Sequence, residues 1–198
     1  MMLVEETTVP AGALPVEAFK RHLRLGTGFG DDGLQDAVLE SFLRAALAAV
    51  EARTGKVLIE RDFSWSVTKW RMVCEQPLPV APVNELLLVT RIDADEVSTA
   101  VEPDAYRLVQ DPHRPLLVSV GLGLPSIPVN GRIEVRFRAG YATEWADLPA
   151  DLAQAVLLLA AHYYEYRQET GLGEGCMPFG VTALLQRYRP MRVSVGGA

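Results

Sequence analysis

The feature that most constrains this 198-residue chain is a change in its hydrophobic period, from three-to-four residues to two and back again. Spacing of three and four gathers side chains on one helical face, whereas alternation gathers them on one face of a strand. An order of helix-helix, then strands, then helix-helix predicts an α+β fold: a small α-helical bundle with an inserted antiparallel β domain and a C-terminal helix and arm. The first helices need a partner for their apolar stripe, and the last helices are the natural one. The expected divisions are 1–55 for the N-terminal helices, 56–148 for the β insertion, 149–178 for a long C-terminal helix, and 179–198 for a short helix and tail.

The front zone opens with Leu14-Pro15-Val16-Glu17, where proline suits a first helical turn because its missing N–H costs nothing there. Phe19, Leu23 and Val16 share a face. Gly26, Gly28, Gly30 and Gly33 break this helix, and Asp31 or Asp32 can cap the next. In that second helix Leu34, Val38, Phe42, Ala45, Ala49 and Ala52 form the expected apolar stripe, and Thr54-Gly55 ends it.

The middle zone alternates. Phe63, Trp65 and Val67 are expected inward, with Asp62, Ser64 and Ser66 outward. Pro77, Pro79 and Pro82 mark an extended connection. Further strands are expected at 86–92, 106–109 and 116–120, with a turn at Asp93-Ala94-Asp95. Asn130-Gly131 signals another turn, before Ile133, Val135 and Phe137 alternate with Arg132, Glu134, Arg136 and Arg138. The last zone opens at Leu148-Pro149-Ala150-Asp151. Leu152, Val156, Leu159 and Tyr163 make its face, Gly171, Gly173 and Gly175 end it, and a short helix follows from Val181 to Tyr188.

The chemistry of the chain excludes more than it suggests. The formal charge is −6, with 25 acidic residues against 19 lysines and arginines, which disfavours a protein that wraps nucleic acid through phosphate contacts. The start, Met1-Met2-Leu3-Val4-Glu5-Glu6, lacks the basic and apolar regions of a signal peptide, so synthesis in the cytoplasm is expected. Cys74 and Cys176 are too isolated to suggest a disulfide framework or zinc site. His22, His113 and His162 are scattered. The glycines at 26, 28 and 30 follow no strand and precede two aspartates, a poor phosphate cradle. No catalytic, cofactor-binding or metal-binding residue is expected. A small enzyme on the β scaffold would need His113 or His162 beside perturbed carboxylates, and a nucleic-acid-binding module would have to use Arg132, Arg136 and Arg138, a row that Glu134 interrupts. The C-terminal segment stands apart: residues 186–193 carry three arginines and no acid, with tyrosine and methionine, types enriched in protein interfaces.

In its ordered set of segments the chain resembles the head–tail connector (adaptor) family of long-tailed phages, and within it the adaptors of Rhodobacter-type gene transfer agents. The similarity is carried by Leu14 to Lys20, His22 to Leu25, and Leu39, Ala45, Ala49, Val50, Glu51, Thr54 and Gly55. It continues through Leu78-Pro79, Pro82-Val83, Ile92 to Asp95, Tyr106 to Leu108, Ala139-Gly140-Tyr141, Leu148 to Leu152 and Tyr163 to Arg167. The smallest members of that family are wholly helical, so the β insertion marks a longer subgroup.

The resemblance implies a non-enzymatic structural subunit in the neck of a virion or phage-like particle. Such subunits form a ring, commonly of twelve, below the portal protein. The ring extends the DNA channel without binding DNA specifically and offers a platform to the next connector, on the stopper or tail-terminator side. It further implies neighbouring adaptor subunits as partners, no membrane and no cofactor. An acidic surface suits a channel because repulsion keeps DNA from sticking. The family's C-terminal arm reaches the portal, which makes Arg187, Tyr188, Arg189, Met191 and Arg192 the expected portal-docking residues. Truncation before Gln186 is expected to remove docking and leave the fold intact.

Overall fold

A computed structural model describes residues 2–25, 33–167 and 177–189. Within it the chain forms two compact units, Met1–Val9 with Val57–Thr143, and Pro10–Lys56 with Glu144–Ala198. The first is built from strands and the second from helices, so the molecule is α+β.

The β unit holds two antiparallel sheets. Strands β1 (Met2–Glu5), β2 (Arg61–Val67), β8 (Arg132–Ala139), β4 (Val83–Ile92) and β5 (Ser98–Ala100) form the larger, in the order β1-β2-β8-β4-β5. The smaller has the order β3-β7-β6, from β3 (Glu75–Pro77), β7 (Leu116–Ser119) and β6 (Tyr106–Val109). Alternation in β2 and β8 works as the sequence predicts. Phe63, Trp65, Val67, Ile133, Val135 and Phe137 are buried, and the residues between them are not. The register sets Phe63 opposite Phe137 and Trp65 opposite Val135, and the two phenylalanine rings stack 5.8 Å apart. Val89, Leu117 and Leu78 complete one core shared by the two sheets.

The turns follow their chemistry. Asp93 Oδ1 accepts hydrogen bonds from the backbone N–H groups of Asp95 and Val97, at 2.9 Å each, which closes the β4–β5 hairpin. At Gly140, φ is +152° and a Cβ would sit 2.3 Å from the Glu60 Cα, so only glycine fits beside that backbone. Residues 2–5, placed by the sequence reading in the helical zone, are instead strand β1. Four residues are too few to display a period, and the pairing of Met2 to Glu5 with Ser66 to Phe63 fixes the state.

The helical unit contains α1 (Val16–His22), α2 (Gly33–Thr54), α3 (Ala150–Glu165) and α4 (Phe179–Leu185). Phe19, Leu152, Ala155, Val156, Leu159, Val181 and Leu185 are buried. The ring of Phe42 meets that of Tyr164 edge-on at 5.9 Å. Gly55, at φ +67°, donates its N–H to the Glu51 carbonyl and stops α2, as its sequence suggests.

The stripe expected on α2 is not the buried one. Val38, Ala45 and Ala52 are exposed and Phe42 and Ala49 half-buried, whereas Leu39, Leu43, Ala46, Leu47 and Val50 are buried. The helix is rotated from the expected face by about one residue, roughly 100°. Both faces have helical spacing, but leucine removes more apolar area from water than alanine, and the leucine face turns inward. Helix α3 stops at Glu165, and Tyr166 closes its last turn through an N–H bond to the His162 carbonyl. The glycines expected to end it lie outside the described residues, as do Gly26, Gly28, Gly30, Asp31 and Asp32. No helix among the described residues is long and apolar enough to cross a membrane.

Candidate functional site

The basic C-terminal segment begins where α4 runs into a 3-10 turn, Gln186–Tyr188. Asp151, in the first turn of α3, organises this turn. Its Oδ1 accepts from the Leu152 N–H at 3.0 Å and from the Tyr188 hydroxyl at 2.6 Å, and its Oδ2 lies 3.4 Å from Arg187 Nη1. The Arg187 guanidinium lies over the Tyr188 ring, 4.8 Å from its centroid. Arg187 and Arg189 are exposed, and Arg189 has no ion pair among the described residues. Met191 and Arg192 lie outside the described residues.

Tyr188 is a different kind of residue from its neighbours. It is only 4% exposed, because its ring is part of the helical core and its hydroxyl is spent on Asp151. A truncation before Gln186 therefore removes a core side chain, which counts against the expectation that it spares the fold. The sequence offers Asp151 only as an acid suited to a helix N-terminus. Its bond to a tyrosine 37 residues away is tertiary and has no local signal.

The arginine row on β8 is engaged within the β unit. Arg132 makes two bonds of 2.6 Å to Glu96, Arg136 Nε bonds to Glu6 at 3.0 Å, and Arg138 Nε bonds to Asp62 at 2.8 Å. Arg132 holds the Glu96 carboxyl below its ordinary value by hydrogen bonding. These exposed pairs contribute little to stability singly. Their consequence is chemical: a phosphate would have to displace a carboxylate from each guanidinium.

His162 packs against the Tyr166 and Tyr163 rings, at 4.7 and 6.4 Å, and His113 is exposed in a loop capped by Asp111. Among the described residues no three His, Cys, Asp or Glu side chains gather to hold a metal ion. Cys74 is exposed and Cys176 lies outside the described residues.

No protein-family model and no curated protein matches the chain. Solved structures do. The chain is 52% identical to a protein in the neck of an empty gene transfer agent particle computed with C6 symmetry, with a TM-score of 0.90. It is 47% identical, with a TM-score of 0.85, to one in the neck of the native particle computed with C12 symmetry. It is 51% identical, with a TM-score of 0.86, to one in the native gene transfer agent virion. Each match covers 99% of both chains. With both units, the insertion included, aligned from end to end, the chain belongs to the family of gene transfer agent neck proteins.

Proposed function

We propose that this chain, a structural component of a gene-transfer-agent-type neck, is the adaptor. In this reading twelve copies close a ring between the portal protein and the next connector, and the ring extends the DNA channel. The observation that carries the reading is the full-length match to proteins of gene transfer agent necks, one computed with C6 and one with C12 symmetry. The mechanism is geometric. Each copy buries modest area on its neighbours and the portal, and ring closure multiplies weak contacts. No substrate is transformed, and DNA passes without specific contacts. The carboxylate partners of Arg132, Arg136 and Arg138 support that last point against a nucleic-acid-binding role.

The C-terminal segment docks on the portal. Arg187, Arg189, Met191 and Arg192 supply the contact, and Tyr188 anchors the root of the arm through Asp151. The test uses the full chain with Arg189→Glu and Arg192→Glu, which leaves the Asp151 cluster intact. Co-purification with the portal is expected to fall at least tenfold while the thermal unfolding curve stays unchanged. Normal co-purification would remove the docking assignment.

A further inference from the structure

The β unit carries two incomplete strand edges, on opposite sides of its larger sheet. On one side, β5 covers β4 only at Thr90 to Ile92; among the described residues the stretch from Glu85 to Leu88 has no strand against its outer edge, and Gln110 Nε2 donates to the Asn84 carbonyl at 2.9 Å. Across the gap stands β6, the edge strand of the smaller sheet. Between them is an open cleft of about 480 Å³, walled by Leu86 and Leu88 from β4 and by Tyr106 and Leu108 from β6. Asn84, Glu85, Arg107 and Gln110 add a polar rim, and an open strand edge beside a partly apolar cleft has the form of a site for one more extended strand.

On the other side the sheet ends in β1, whose outer edge is free among the described residues. This strand is unusual in exposing apolar residues on both faces: Met2 is 61%, Leu3 38% and Val4 43% exposed. Leu3 lies opposite Trp65 and Val4 opposite Ser64, so the two point to different sides of the sheet. A strand that is apolar on both faces suits a position between two walls and is costly in water.

We propose that β1 of one copy, keeping its pairing with β2, adds its free edge to the open β4 edge at this cleft in the next copy, and that this contact links neighbours around the ring. The inference rests on the ring reading above. Two observations select a second copy as the occupant. Donor and acceptor edges lie at opposite sides of one sheet, so the contact runs head to tail, the type that closes into a ring when its rotation fits. The related proteins stand in necks computed with C6 and C12 symmetry.

Cysteine cross-linking in assembled particles tests this. With Cys74 and Cys176 replaced by serine in the full chain, Val4→Cys is combined in turn with Leu86→Cys and with Leu88→Cys, which covers both strand directions. Within one copy, β1 and β4 are separated by β2 and β8, three strand spacings or roughly 14 Å, so an internal disulfide is out of reach. Oxidation is expected to give a ladder of covalent multimers for one pair and none for the single variants. No ladder from particles that contain the chain would overturn the proposal, as would a ladder that stops at dimers or a bond from position 88 to a different neck protein. Loss of the serine-background chain from the neck would count instead against the adaptor reading. As an independent arm, Val4→Asp, at an exposed site, is expected to fold normally by circular dichroism and enter particles at least tenfold less well. Normal entry would overturn the proposal.

Discussion

Two residues set the character of the C-terminal arm. Asp151 and Tyr188 lie 37 positions apart, and their 2.6 Å bond fixes where the arm leaves the helical unit. Hydrogen bonds to a charged group contribute more than neutral ones, so Tyr188→Phe is expected to cost about 1–2 kcal/mol in chemical denaturation, with the ring still filling its place. Tyr188→Ala is expected to cost clearly more, because a cavity is added. Equal losses for the two variants would show that the hydroxyl contributes little beside the ring. The sequence marks this segment as basic and interface-like, but it does not distinguish the buried tyrosine from the exposed arginines beside it. Charge is legible locally, whereas burial depends on which helix lies underneath.

Among the elements, the buried faces of β2 and β8 were legible and that of α2 was not. The strands alternate strictly, so one reading of their faces is possible. Helix α2 is apolar on more than one side, and spacing alone does not choose between a leucine face and an alanine face. Burial of larger side chains decides it. Leu43→Ala is accordingly expected to destabilise the protein by about 2–4 kcal/mol, and Ala45→Ser, on the exposed face, by less than about 0.5 kcal/mol. Thermal or denaturant unfolding measures both. A larger effect at position 45 would restore the face first expected. Strand β1 was illegible for another reason: its four residues become a strand only through β2.

For the whole molecule, the order of zones was legible because a change of period survives any error in a single face. The two compact units follow that order, with residues 2–9 joining the sheets. The free edges at β1 and at the β4–β6 cleft were not legible, since an edge is defined by a strand that is missing. An acidic chain with a basic arm, paired surface arginines and two strand edges left open among the described residues has the properties of a part that holds others in line. The most direct test of that claim is electron cryo-microscopy of particles made with and without this chain. Without it, filled heads are expected to lack the ring of density below the portal and to carry no tails, and the full-length chain supplied in trans is expected to restore both. A complete neck and attached tails in particles that lack the chain would contradict the account.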